Sequence, residues 1–242
     1  MRIQLLKTLQ TVSREIYALL TWPKFSLTSY RMVYTLKQQG IQPKTIIDVG
    51  ANVGQFAIAT AKLFSPATQI YSFEPHPEVV ELLQQNVHHL KNITVYPLAL
   101  GNHEGEIAFH VNTHSHSSSI LPLAEAHREA FPYAQEEKMI TVTLSTLDKI
   151  FSMVMLEPPI LLKLDVQGYE ALTLQGGVET LQQVNYVVIE TSFKPLYEGE
   201  MLFMDMVHLM EAHRFRFLRP IGWLSNPENG EILQMDALFV QQ

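Results

Sequence analysis

A β-branched run, Thr45-Ile46-Ile47, leads into Asp48-Val49-Gly50-Ala51-Asn52-Val53-Gly54 and then into the helix-forming stretch Gln55-Phe56-Ala57-Ile58-Ala59-Thr60-Ala61-Lys62-Leu63. Few folds accept a strand that breaks on glycine and re-enters at once as a helix. Such a turn leaves bare backbone N–H groups at a helix start, beside a crevice of nucleotide size. Twenty residues beyond Gly54, Ser72-Phe73-Glu74-Pro75 ends a second strand on a carboxylate. A glycine turn with a distant acid is how an α/β sheet grips a ribose.

From Pro43 the hydrophobic pattern alternates between two periods. It predicts strands over 45–49, 69–74, 93–98, 160–165 and 184–191, and helices over 54–64, 77–90, 167–180 and 201–213. Two further strands, 214–219 and 234–241, close the chain. Ile160-Leu161-Leu162-Lys163-Leu164 and Tyr186-Val187-Val188-Ile189 are almost solidly apolar, as strands buried on both faces must be. A mostly parallel sheet of seven strands with helices on each side follows. The turn-rich Asn226-Pro227-Glu228-Asn229-Gly230 allows an antiparallel strand at its edge.

About sixty residues separate the third strand from the fourth. Gly101-Asn102-His103-Glu104-Gly105 is a turn, and residues 106–111 and 139–144 each alternate like strands. Between them lie His114-Ser115-His116-Ser117-Ser118-Ser119 and a polar helical segment containing Pro122 and Pro132. The expected arrangement is a hairpin insertion over about 102–144, carrying a loop across the crevice. The chain thus divides into an N-terminal helical extension, 1–42, and an α/β domain, 43–242.

In the extension, Leu5, Leu9, Val12, Ile16 and Leu19 form a stripe on a helix over 1–22, with Arg2, Lys7 and Arg14 among the polar positions. Packing on its own domain, pairing with a twin subunit in a homodimer, and contact with an anionic membrane surface all suit such a stripe. A second helix is expected over 28–39, capped by Thr28 and ended by Gly40. The net charge of −7 is dispersed, which argues against a nucleic-acid partner. No cysteine is present, so disulfide and thiolate chemistry are excluded. No apolar run is long enough to span a bilayer and no signal peptide is evident, so a soluble cytoplasmic protein is expected.

A dinucleotide turn needs G-x-G-x-x-G, but the three positions here hold Gly50, Asn52 and Gln55. Asparagine still tolerates a left-handed backbone. Without the third glycine, a single nucleoside carrying an amino-acid tail fits better than a pyrophosphate. Its carboxylate can sit on the turn and its ribose hydroxyls on Glu74.

The run Ile47-Asp48-Val49-Gly50-Ala51-Asn52-Val53-Gly54-Gln55-Phe56 and the later Phe73-Glu74-Pro75 resemble the FkbM family of S-adenosylmethionine-dependent methyltransferases. Tyr96-Pro97-Leu98-Ala99-Leu100-Gly101 and Leu162-Lys163-Leu164-Asp165-Val166-Gln167-Gly168-Tyr169-Glu170 are similar to two further segments of that family. The resemblance covers roughly 43–240. It implies a Rossmann-like methyltransferase fold, S-adenosylmethionine as cofactor, and O-methylation of a hydroxyl on a sugar, glycan or secondary metabolite. The cofactor-binding set it suggests is Asp48, Gly50, Ala51, Asn52, Gly54, Phe56, Glu74, Pro75, Ala99 and Asp165.

Methyl transfer to an alcohol needs alignment and a base within reach of the hydroxyl proton. Asp165 is the first catalytic candidate because it ends a buried strand, where open α/β sheets place their chemistry. Capping of the next helix, or holding the donor, is the alternative role. His116 in the inserted loop is the second candidate. Lys163 alternates with Asp165 and is expected on the same side of the sheet, where it could tune the acid. Ser118 and Glu190 are candidate acceptor contacts. His114 and His116 alone make a poor metal set, and no metal is expected. Asp48 is expected to bond the N–H groups of its own turn. A methyltransferase-like binding protein without catalysis and a nicotinamide-dependent oxidoreductase are the alternatives.

Overall fold

The computed structural model describes residues 2–22, 24–112, 117–131 and 136–242, with side chains from residue 12 onward except those of 136 and 137. In chain order the elements are α1 (Arg2–Thr21), α2 (Leu27–Gln38), β1 (Thr45–Val49), α3 (Gln55–Leu63), β2 (Gln69–Phe73), α4 (Pro77–Val87) and β3 (Ile93–Tyr96). The insertion follows, with β4 (Ala99–Leu100), β5 (Gly105–Asn112), α5 (Glu125–Ala130) and β6 (Glu136–Ser145). Next come α6 (Leu147–Phe151), β7 (Ile160–Leu164), α7 (Glu170–Gln175), α8 (Val178–Leu181), β8 (Tyr186–Ser192), α9 (Phe203–Ala212), β9 (Phe215–Ser225) and β10 (Ile232–Gln241).

The main sheet has seven strands in the order β3-β2-β1-β7-β8-β10-β9, parallel except for β10, which runs antiparallel between β8 and the edge strand β9. The antiparallel return expected at this edge is therefore the β9–β10 hairpin. The chain leaves β1 toward β2 and β3, then returns to β7 on the other side of β1. That reversal is the topological switch point, where open α/β sheets bind their ligands.

β1 and β7 are buried at every position, so both faces of the sheet are covered. Strand period decides which residue meets which layer. Ile47, Leu162 and Val187 pack into one core with α6, α7, α8 and α9. Their neighbours Ile46, Leu161 and Val188 pack into the other, with α2 and α3.

Several boundaries differ from expectation for local reasons. α2 starts at Leu27 and its cap is Ser26, whose Oγ accepts from Ser29 N at 3.2 Å, so Thr28 lies inside the first turn. β3 stops at Tyr96 because Pro97 has no N–H for the ladder. The single helix expected over 167–180 is two short ones. Gln167 and Gly168 are left-handed, and at Gly176 a Cβ would lie 1.9 Å from Gly101 O.

The insertion forms a second sheet, β4-β6-β5, whose β5–β6 hairpin is antiparallel. Ala99, Phe109, Val111, Val142 and Leu144 form its own apolar cluster. In the extension, the described members of the α1 stripe, Val12, Ile16 and Leu19, face solvent, while Ala18 is buried. Polar groups tie α1 to α2: Arg31 bridges to Glu15 at 2.9 Å and Arg14 bonds Tyr34 at 3.1 Å. The expected stripe is thus not the face that packs on this domain. Among the described residues no helix is long and apolar enough to cross a membrane.

Candidate active site

Gly50 follows β1 and Asp165 follows β7, so the two meet at the switch point. Gly50 has φ +77°, and a Cβ there would lie 1.8 Å from Asp165 O. Only glycine lets the two loops touch. Asn52 is also left-handed, with φ 47°, and Gly54 caps α3 with φ 91°. The turn hangs on β2 through Gly50 N and Ala51 N, which donate to Phe73 O at 3.1 and 2.9 Å.

Glu74 closes the second side. Its Oε2 accepts from Asn52 N at 3.0 Å and its Oε1 from His76 N at 2.9 Å, so this carboxylate organises the turn. Burial pushes it up to about 7, against the pull of those two N–H donors.

Between these elements opens a cleft with about 610 Å³ of empty space. Gly50, Asn52, Glu74, Pro75, Ala99 and Asp165 line it, and the insertion contributes Phe109, Ser118 and Ile120. Apolar walls with one buried carboxylate and a glycine cradle fit a nucleoside.

On the α2 face of the sheet, the positions that follow the apolar layer carry charge. Two residues beyond Ile46, Leu161 and Val188 come Asp48, Lys163 and Glu190, and two before Leu238 comes Asp236. Register sets Asp48 beside Lys163 and Glu190 opposite Asp236. Lys163, only 4% exposed, lies 3.1 Å from Asp165 Oδ2 and 3.4 Å from Asp48 Oδ1, donates to Gly50 O at 3.1 Å, and sits 5.6 Å from the Phe56 ring centre. Burial works against its ammonium, but Asp165 and Asp48 outweigh that and hold it above the ordinary lysine range.

Gln167 binds the row together. Its Nε2 donates to Asp165 Oδ1 at 2.8 Å and to Glu190 Oε2, and its Oε1 accepts from the Tyr197 hydroxyl. Tyr197 also donates to Ser117 O at 3.3 Å, which links the row to the insertion. Glu190 is raised well above the carboxylate range by burial and by the charges of Asp165 and Asp236. Asp236 is raised to about 7 by burial and by Asp165.

Some expected roles change. Asp48 is fully buried and is not among the residues that line this cleft or a second cavity on the α2 side of the sheet. Nor does it bond the N–H groups of its own turn: its compensation is the Lys163 ammonium, 3.4 Å from Oδ1. α7 has no side-chain N-cap; Asp165 Oδ1 instead accepts from Gln167 Nε2, and Glu170 Oε1 holds the loop before the helix, accepting from Val166 N at 2.8 Å and Gly168 N at 3.3 Å. Phe56 and Ala51 face the neighbouring cavity, and Gly54 packs on Leu83. Ser118, expected at the acceptor, stands in the wall of the nucleoside cleft, and its Oγ accepts from Asn112 N at 3.0 Å. His116 lies outside the described residues. Sequence reasoning missed Asp236, Tyr197 and the bridging role of Gln167. The side-chain parity of β10 relative to Leu238 was the signal available for Asp236.

A glycine turn at the switch point of a parallel sheet closed by one antiparallel strand is the Rossmann-like architecture of the methyltransferases. The sequence model of the methyltransferase FkbM domain matches residues 48–217, and the chain belongs to the FkbM family of S-adenosylmethionine-dependent methyltransferases. It is 27% identical over 214 residues to the 2-O-methyltransferase NoeI of Sinorhizobium fredii (strain NBRC 101917 / NGR234), a match spanning 86% of this chain and 87% of that one. It is also 27% identical over 161 residues to the hexuronic acid methyltransferase AglP of Haloferax volcanii, covering 66% of this chain and 60% of that one. Among solved structures, methyltransferase FkbM from Methylobacillus flagellatus KT aligns with a TM-score of 0.48 and 12% identity over 81% of this chain and 43% of that one. Family membership sets aside the nicotinamide-dependent alternative.

Proposed function

We propose that the chain methylates a hydroxyl oxygen of a sugar or glycan, with S-adenosylmethionine as donor. The observation that carries this reading is the junction of the Gly50 turn and the Asp165 carboxylate, where a nucleoside cleft opens onto an acid. Two relatives named for methylating a 2-O position and a hexuronic acid support a sugar over a hydrophobic metabolite.

The bound donor supplies a methyl group on an already activated sulfonium. The protein's part is to position the acceptor, exclude water and receive a proton. Asp165 is the residue set to take the hydroxyl proton, because its carboxylate lies in the cleft wall and is one-third exposed. Lys163 and the Gln167 amide fix that carboxylate from two sides, which aims it without a flexible partner. The inserted segment adds the apolar side chains Phe109 and Ile120 to the cleft wall.

Calorimetric titration of the full chain with S-adenosylmethionine, S-adenosylhomocysteine and NAD tests the donor. Labelled-methyl incorporation into a panel of monosaccharides and glycans tests the acceptor. Micromolar binding of both sulfur nucleosides and label in a sugar are expected. Binding of NAD alone, or label found only in non-sugar acceptors, would overturn the reading.

A further inference from the structure

A second cavity, with about 850 Å³ of empty space, lies on the α2 side of the Gly50–Asp165 junction. It shares Gly50, Asn52 and Asp165 with the nucleoside cleft, so the two spaces meet at the catalytic candidate. Its floor is the charged row, with Lys163, Glu190 and Asp236, and its roof is the start of α2, with Ser26, Thr28 and Ser29.

Asp236 is the informative group. It lies half-buried in the wall, and no described residue donates a hydrogen bond to it, unlike Asp165 and Glu190, which Gln167 holds. The neighbouring strand makes room for it: across from Asp236 on β9 stands Gly222, where a Cβ would fall 2.3 Å from Asp236 Oδ2. A half-buried carboxylate that faces a cavity without a protein donor keeps its acceptor capacity for a ligand.

We propose that this cavity is the acceptor pocket, and that Asp236 and Glu190 select sugars offering hydroxyl or ammonium donors and reject sugars bearing a carboxylate. The inference deepens the sugar-methylation reading and rests on it. Its electrostatic basis is simple. Among the described residues that line the cavity, the one Lys or Arg is Lys163, already shared between Asp48 and Asp165. Asp48, Asp165, Glu190 and Asp236 surround one lysine, so an ionised ligand carboxylate meets an excess of acid groups. In this respect the pocket differs from what a hexuronic acid would require, although one relative is named for that acceptor.

The test uses the full chain and three matched probes: methyl glucoside, methyl glucosaminide and methyl glucuronide. Binding is read by saturation-transfer NMR and calorimetry, with S-adenosylhomocysteine titrated separately on each protein. The glucoside and glucosaminide are expected to bind at least about tenfold more tightly than the glucuronide. In Asp236→Asn and Glu190→Gln that gap should shrink to about threefold or less, with S-adenosylhomocysteine affinity unchanged. Gly222→Ala, which crowds the Asp236 carboxylate, should weaken the glucoside and the glucosaminide while leaving S-adenosylhomocysteine affinity unchanged. Equal or tighter glucuronide binding, or no binding of any probe up to about 50 mM, would overturn the acceptor assignment. So would an Asp236→Asn effect confined to S-adenosylhomocysteine, which would give the cavity to the donor's amino-acid tail. Failure of S-adenosylhomocysteine to bind wild type would instead strike the donor reading, and the sugar ranking would still be scored.

Discussion

Lys163 Nζ stands 3.1 Å from Asp165 Oδ2 while also serving Asp48 Oδ1 at 3.4 Å, so one buried cation holds two carboxylates of very different exposure. Asp48 is fully buried and Asp165 reaches the cleft, which couples the stability of the sheet to the chemistry at its rim. Lys163→Met would leave Asp48 without compensation. A loss of about 3–5 kcal/mol in urea unfolding is expected, as for other broken buried pairs. A loss under about 1 kcal/mol would show that Asp48 is neutral in the folded chain without Lys163's help.

Asp165→Asn keeps the shape and the Gln167 contact but removes the proton acceptor. Turnover should fall by about 10²–10⁴, with S-adenosylhomocysteine affinity changed less than about threefold. Calorimetry beside steady-state kinetics separates the roles. A large affinity loss with kcat intact would make Asp165 a donor ligand.

Gly50→Ala forces a Cβ to 1.8 Å from Asp165 O at a φ of +77°. The left-handed backbone alone costs about 1–2 kcal/mol for an alanine, and the clash adds to it. A lower melting temperature together with lost nucleoside binding is expected, read by calorimetry of both kinds. An unchanged Kd would mean the donor does not use this turn.

Burial raises Glu74, Glu170 and Asp236 to about 7, well above their unfolded values. Between the unfolded and folded values the native chain therefore holds more protons than the unfolded chain. Stability is then greatest at the acid end of that window and declines as pH rises toward 7. Glu74 alone can contribute on the order of 3 kcal/mol of this decline. The melting temperature should drop by roughly 5–10 °C from pH 5 to pH 7.5, and by less in Glu74→Gln. A flat or rising profile would show these carboxyls to be ionised throughout.

Much of the site was legible because its parts are local. The turn from Asp48 to Gly54 combines a β-branched approach with residues that tolerate positive φ, and both are written in consecutive letters. The pairing of Lys163 with Asp165 followed from strand parity alone. Asp48 misled because an acid at a strand end has two partners available, its own turn or a neighbouring strand. Only the β1–β7 register put Lys163 beside it. Asp236 was hidden for a similar reason: it lies some seventy residues after Asp165, and only the insertion of β10 beside β8 sets it opposite Glu190. The helix over 167–180 failed because Gly101 approaches Gly176, a contact between segments far apart in the chain.

The sequence by itself determined the class of sheet, the place of the glycine turn and the kind of nucleotide it suits. Apolar period, glycine placement and the missing third glycine are local properties that tertiary packing does not reverse. Tertiary structure alone decided which charges share the rim. Four strands deliver Asp48, Lys163, Glu190 and Asp236 to one face, and the α2 start roofs the space over them. Charge acts through space rather than along the chain, so its pairing waits on strand order.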